Sequence, residues 1–298
     1  MTCPYCHGTK QALLLEGMKD IEYHGPGTFN VVGCEECGFR YLDPLPPSFR
    51  QVSRYPANYY TQSARRESGL LSYFLSIRYF LRWRRLRRWV SPQAKSILEI
   101  GCGDGEFLDY LSRRVSNDVN LTGVDAYLSS RKRTARVHWQ TQSIDEAILP
   151  EGTDVIILYD TLEHLPEIAK TLRRLERTLS PNGVLVGTIP VWDTFWHRLF
   201  PKHWHGLSVP RHLSFFEKKN LERVLGDAGF TLVDTSPTLD PGDFSVTLAN
   251  YICDRFNIKT PPRHTWFFLP LTLLAAFIEG LRLMAKKSGQ MEFVARRT

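Results

Sequence analysis

Between residues 96 and 108 the sequence SILEIGCGDGEFL joins an apolar, strand-like run to a helix-like run through three glycines, Gly101, Gly103 and Gly105. Glycines there permit a tight turn and leave bare backbone for a ligand to lie against, while the helix N-terminus offers unpaired N–H groups. By itself the turn is ambiguous: several nucleotide-binding folds use such glycines, and some turns of this kind are only tight connections. The next apolar run ends at Gly123-Val124-Asp125. A carboxylate about 20 residues beyond such glycines can accept both hydroxyls of a ribose. The alternative for Asp125 is a helix N-cap.

The surrounding pattern alternates. Strands are expected over 96–100, 121–124, 137–140, 154–159, 183–189, 230–234 and 290–296. Helices are expected over 106–115, from about Ser129, over 166–179 and over 217–228, with Asn182-Gly183 as the turn that closes one helix before a strand. Such alternation implies an α/β, doubly wound, mostly parallel seven-stranded sheet.

At this point the ordered segments ILEIGCGDGEF, GVDAY, DVIILYDTLEHL and LSPNGVLVGTIP resemble the successive motifs of class I S-adenosylmethionine (SAM) dependent methyltransferases, a Rossmann-like family. The resemblance covers about residues 96–234. It implies that Glu99, Gly101, Cys102, Gly103 and Gly105 surround the methionine part of SAM, that Asp125 holds the ribose, and that Ala126 and Tyr127 flank the adenine. Where the family often has an acid after the third strand, this chain has Gln142-Ser143, so Ser143 would meet the adenine amine through its hydroxyl. Tyr159, Asp160, Glu163 and His164 follow the fourth strand, the usual floor of the cofactor and acceptor pockets. His164 reads equally as a packing or capping residue.

Methyl transfer from a sulfonium is an in-line displacement, which asks mainly for orientation and exclusion of water. A hydroxyl or unactivated carbon acceptor adds the need for a base. The segment PRHLSFF places His212 where such enzymes bind acceptors, and resembles a His-Leu-x-x-Phe segment of related methyltransferases acting on small molecules and sugars. We take His212, His164 and Asp160 as the catalytic candidates; capping the next helix or packing on Trp204 is the structural alternative for His212. His197, His203 and His205 in the preceding loop fit no familiar ligand spacing.

Two Cys-x-x-Cys pairs, Cys3/Cys6 and Cys34/Cys37, stand 27 residues apart, in a chain whose other cysteines are Cys102 and Cys253. Two such turns suit tetrahedral thiolate ligation of zinc, here structural because all four ligands come from protein. The segments CPYC, CEECGFRYLDPLP and YPANYY resemble the head of a bacterial subgroup of methyltransferases, many of them in polysaccharide or glycolipid biosynthesis. That likeness implies a sugar-containing or lipid-linked acceptor. No charged run followed by an apolar one opens the chain, so no secretory signal is expected, and the cysteine usage suits a reducing, cytoplasmic compartment.

The net charge of +7 is concentrated between Gln62 and Val90, where eight arginines face one acid, Glu67. Apolar residues recur at helical spacing over 69–90, so a basic amphipathic helix is expected to pack on the domain or to lie on an anionic membrane. A second apolar stretch, 266–278, is too short to span a bilayer and offers an interfacial wall. Nucleic acid is disfavoured, because a phosphate-tracking helix has no need of Phe74, Leu75, Ile77 and Leu81.

The organisation expected is a zinc-ribbon-like module over 1–48, a linker and basic helix over 49–90, and a SAM methyltransferase domain over 91–298 with an apolar insertion at about 262–285. The expected activity is methyl transfer to an oxygen at the cytoplasmic membrane face. A quinone-type O-methyltransferase, an RNA or protein methyltransferase and a non-catalytic SAM-binding protein are the alternatives. The sequence leaves the oligomeric state open.

Overall fold

The computed structural model describes residues 2–46, 69–128 and 133–298, the side chains of 69–75 excepted. The helix expected from about Ser129 begins outside the described residues. From the N-terminus, β1 (Gln11–Met18), β2 (Phe29–Cys34) and β3 (Arg40–Asp43) form an antiparallel meander. Then α1 (Gly69–Leu86) leads into the alternation β4 (Ser96–Ile100), α2 (Glu106–Leu111), β5 (Asn120–Val124), β6 (Val137–Gln140), β7 (Thr153–Tyr159), α3 (Ile168–Thr178) and β8 (Leu179–Pro190). A loop carrying α4 (Phe195–Leu199) follows, then β9 (Ser214–Phe215), α5 (Lys218–Gly226), β10 (Phe230–Pro237), α6 (Pro241–Arg255), α7 (Phe268–Met284) and β11 (Gln290–Arg297).

Seven strands lie in the order β10-β11-β8-β7-β4-β5-β6. Strands β4 to β8 pair in parallel, and β11 runs antiparallel to both β8 and β10. The expected α/β sheet is therefore present, with one reversed strand.

Side chains leave each strand alternately, so the sheet has two apolar faces. Ile97, Leu121, Val155 and Ile157 pack on one face with Phe107, Leu108 and Leu111 of α2 and Tyr79, Trp83 and Leu86 of α1. Leu98, Ile100, Ile156 and Leu158 pack on the other with α3 and α5, joined there by Cys3, Cys34, Cys37 and Phe39.

Residues 182 and 183 do not form the turn expected between helix and strand. Thr153 pairs with Leu179 and Val155 with Val184, so residues 180–183 bulge out within β8, which starts directly after α3.

The cysteine-bearing meander is not closed on itself. Arg40 and Tyr41 of β3 pair with Phe215 and Ser214, so β9 supplies the fourth strand. Met18, Phe29, Val31 and Leu42 share a third apolar cluster with Trp192, Trp204, Leu207, Val209, Leu213 and Phe215 from the aromatic loop. Buried Arg211 makes two 2.9 Å bonds to the carboxylate of buried Asp20, clamping loop to meander.

Helix α6 was not foreseen, although its start is written in Asp240, which accepts the Gly242 N–H, and in Pro241 at the first position. Helix α7 packs on α6 but leaves Leu269, Leu273, Leu274, Phe277, Leu281 and Met284 exposed. No helix among the described residues is long and apolar enough to cross a membrane.

Candidate active site

The three glycines of the β4–α2 turn serve different ends. All have left-handed backbones, which side-chain-bearing residues rarely adopt. A Cβ on Gly101 would meet Thr161 at 2.4 Å and one on Gly105 would meet the Trp139 ring at 2.4 Å, whereas nothing stands within 4 Å of a Cβ on Gly103. Two positions are thus close-packed and the middle one faces open space. Trp139 also lies against Gly123, so one indole explains two glycines in different elements.

Asp125 ends β5 and is fixed by the turn. Its Oδ2 accepts the Gly103 N–H at 2.8 Å and its Oδ1 the Tyr127 N–H at 2.7 Å. Burial pushes its carboxyl above the ordinary range. Ala126 beside it is exposed and Tyr127 half-buried.

Glu99, on β4, is buried with one carboxylate oxygen lacking a partner, and burial pushes its carboxyl up to about 8. Such an orphaned oxygen beside an open glycine turn suits a ligand ammonium, which is what the methionine part of SAM carries. The fit to SAM is thus made by Glu99, the bare Gly103 and Asp125. Cys102 is buried behind the turn, its N–H directed to the Val124 carbonyl at 3.3 Å. Ser143 lies in the loop after β6, where its carbonyl accepts the N–H groups of Glu146 and Ala147.

The floor residues separate. Tyr159 is buried in the apolar face, against Phe107 and beneath the Arg82 guanidinium, 4.3 Å from the ring centroid. Asp160 has a left-handed backbone, φ 53°, at the end of β7. Arg78 and Arg82 of α1 each reach its Oδ2 at 2.6 Å, and Thr188 donates to its Oδ1 at 2.8 Å. Burial works to raise this carboxyl, but Arg82 and Arg78 hold it at about 2. Asp160 is thus an anchor for α1 and a poor proton acceptor. The basic helix turns two of its arginines inward, which its charge alone did not reveal.

Glu163 and His164 lie in a 3-10 turn, Leu162–His164, and His212 precedes β9. The two segments are tied: Leu213 N–H donates to the Glu163 carbonyl at 2.8 Å and His164 Nδ1 meets the Arg211 carbonyl at 3.0 Å. The imidazoles of His164 and His212 stand edge to face, centroids 4.6 Å apart. His212 does not cap a helix, since Glu217 caps α5; its Nδ1 meets the Gly206 carbonyl at 2.8 Å. Burial, with His164 alongside, holds His212 well below the usual imidazole range, and it is neutral at pH 7. In the sequence Glu163 is one residue of the DTLEHL segment with nothing to single it out; its burial is what marks it.

The other loop histidines go to separate partners. His203 meets Asp254 at 2.9 Å, His205 approaches Glu22 at 3.7 Å, and His197 lies 4.1 Å from the Trp192 ring centroid. Cys3, Cys6, Cys34 and Cys37 converge, with all four sulfurs within 4.8 Å of one another. The pairs Cys3–Cys37 and Cys6–Cys34 are 3.8 and 3.6 Å apart. Sulfurs bound to one zinc at about 2.3 Å in a tetrahedron lie about 3.8 Å apart, so these residues could hold that metal.

Residues 74–235 match the family described as Methyltransferase domain, over half of the chain. The chain is 30% identical over 117 residues to the ubiquinone biosynthesis O-methyltransferase of Aeromonas salmonicida, covering 34% of this chain and 48% of that protein. It is 24% identical over 144 residues to the mitochondrial arginine-hydroxylase NDUFAF5 of Danio rerio, covering 46% and 45%. The chain spans about half the length of the curated relatives it matches. Among solved structures, the SAM-dependent methyltransferase of Mesorhizobium loti is 15% identical, with a TM-score of 0.49 over 72% of this chain and 97% of that one. With a sheet that has one reversed strand, a glycine turn bound to Asp125 and a matched segment that contains both, the chain belongs to the SAM-dependent methyltransferase-domain family.

Proposed function

We propose that the chain transfers the methyl group of SAM to an oxygen of a sugar-containing or lipid-linked small molecule. The observation that carries the transfer is the preformed turn: Asp125 bonded to Gly103, open space over that glycine, and the unpartnered oxygen of Glu99. When bound, SAM supplies an electrophilic methyl on its sulfonium. Gly103 and Asp125 would orient it, Glu99 would hold its ammonium, and α1, anchored through Asp160, would shield the site from water. The half-buried imidazole of His164 and the buried, neutral imidazole of His212 stand edge to face where they would ease loss of the acceptor's proton, which is why an oxygen acceptor is favoured.

Structural zinc in the four-cysteine cluster is part of the same reading. The metal would hold the head, and the head in turn clamps the acceptor loop through β9 and the Asp20–Arg211 pair. A membrane-side acceptor is supported by α7, where Leu269, Leu273, Phe277 and Leu281 recur every fourth residue on an exposed face, between 49% and 66% exposed. Phe195, 57% exposed, adjoins that face under Arg282. This exposed face supports, as part of the same proposal, peripheral binding at the cytoplasmic membrane surface. The likeness to a ubiquinone biosynthesis O-methyltransferase favours a second reading, a quinone-type hydroxyl acceptor. Feeding isotopically labelled methionine to cells with and without the gene, and comparing lipids and metabolites, tests both. A labelled methyl on a sugar-lipid oxygen supports the first reading, one on a quinone supports the second, and no gene-dependent label contradicts both.

A further inference from the structure

We infer that Glu163, His164 and His212 form a binding site for a first-row divalent cation at the acceptor side of the pocket. One ligand atom from each residue lies within 4.8 Å of the other two. Each imidazole directs Nδ1 at a backbone carbonyl, Arg211 for His164 and Gly206 for His212. A carbonyl only accepts, so the proton sits on Nδ1 and the lone pair on Nε2, the orientation that metal-binding histidines receive from such outer contacts. The third member is independent of the histidines: Glu163 is 1% exposed, and its Oε2 has no hydrogen-bond partner. A buried carboxylate oxygen with no partner is costly to keep, and a cation between it and the two rings removes that cost.

Two nitrogens and one carboxylate oxygen suit Zn2+, Mn2+ or Fe2+ better than Mg2+ or Ca2+, which favour oxygen donors. Three protein ligands leave coordination positions open. The cluster adjoins the cofactor turn, because Thr161, two residues before Glu163, packs on Gly101. The open positions would take an acceptor hydroxyl: the cation lowers its pKa, its proton passes to solvent water, and the resulting alkoxide oxygen bonds the methyl as the methyl–sulfonium bond breaks and leaves a neutral thioether. This inference deepens the proposed oxygen transfer and rests on it for the acceptor's identity, but the binding of the cation is measurable without it.

The test uses full-length protein with its cysteine cluster saturated with zinc, titrated with Mn2+ and followed by electron paramagnetic resonance. Mn2+ prefers nitrogen and oxygen donors and does not compete for the thiolates. The expected result is one Mn2+ per chain in the wild type, and affinity at least about tenfold weaker in both Glu163→Gln and His212→Gln. Retained SAM binding and unchanged zinc content show that each variant is folded. Equal Mn2+ affinity in wild type and both folded variants, or no saturable Mn2+ in the wild type, overturns the site. Labelled-methyl transfer is scored separately, so loss of the proposed activity and loss of the cation site are distinguishable.

Discussion

The proposed cofactor half and the proposed acceptor half of the site are built in opposite ways. Glu99, Gly101, Gly103 and Asp125 fall within one stretch of chain and are joined by short-range turns and adjacent strands. The proposed acceptor half is assembled from Glu163 and His164 after β7 and from Arg211 and His212 before β9, with Asp20 near the N-terminus holding Arg211. One half depends on local backbone geometry. The other depends on long-range burial, and a cysteine-rich head far away in sequence helps to hold it.

The largest expected effect is on the long-range half. Asp20→Ala removes the carboxylate that faces the buried Arg211 guanidinium, and should lower unfolding stability by about 3–5 kcal/mol in a denaturant titration. Asp20→Ala with Arg211→Met should recover much of that loss, since no charge is then stranded. SAM affinity measured where Asp20→Ala is still folded should stay near wild type; an equal loss there would break the separation between the halves.

Gly105→Ala is the corresponding insult to the local half. The left-handed backbone and the Trp139 ring together should make it about 2–4 kcal/mol less stable by thermal or chemical melting. Gly103→Ala, with open space at its Cβ, should cost less stability while still weakening SAM.

Glu99→Gln separates binding from stability. Loss of a charged partner for the SAM ammonium should weaken binding by about 10- to 100-fold in calorimetry. The SAM-free protein should instead gain stability at pH 7. Burial holds Glu99 protonated up to about 8, whereas its ordinary value is 4.5, so its contribution is complete below pH 4.5 and is lost as pH rises towards 8. Melts of SAM-free protein across that window should show stability falling with pH, and Glu99→Gln should flatten the slope.

The smallest effect expected is at the surface. Phe277→Asp on the exposed face of α7 should leave the melting temperature nearly unchanged and weaken binding to anionic vesicles by about tenfold. Unaltered vesicle binding would remove the support for a membrane-side acceptor.

These contrasts also explain what the sequence allowed one to read. The β4–α2 glycines, Asp125 and the alternation of strands and helices are legible because period and spacing encode neighbours along the chain. The role of Trp139 is not, since nothing in WQ at the end of β6 points to Gly105 and Gly123. Nor did charge reveal that Arg78 and Arg82 turn inward to Asp160, because a helical arginine looks alike in sequence whether it meets solvent or a buried carboxylate. His212 was found by its motif, but its neighbours required the fold. Nothing in the sequence between β8 and β9 points to the head, and only the packing of that loop against Met18, Phe29 and Leu42 shows that the head is part of its core.

The most direct measurement of the cofactor site is calorimetric titration of SAM into wild-type protein and Asp125→Ala. Asp125 orders the turn through Gly103 and Tyr127, and in the proposed site its carboxylate would accept the ribose hydroxyls. One equivalent should bind the wild type, and removal of these charge-assisted bonds should weaken binding by about 100-fold. No saturable binding to the wild type, or equal affinity in the two proteins, would contradict it.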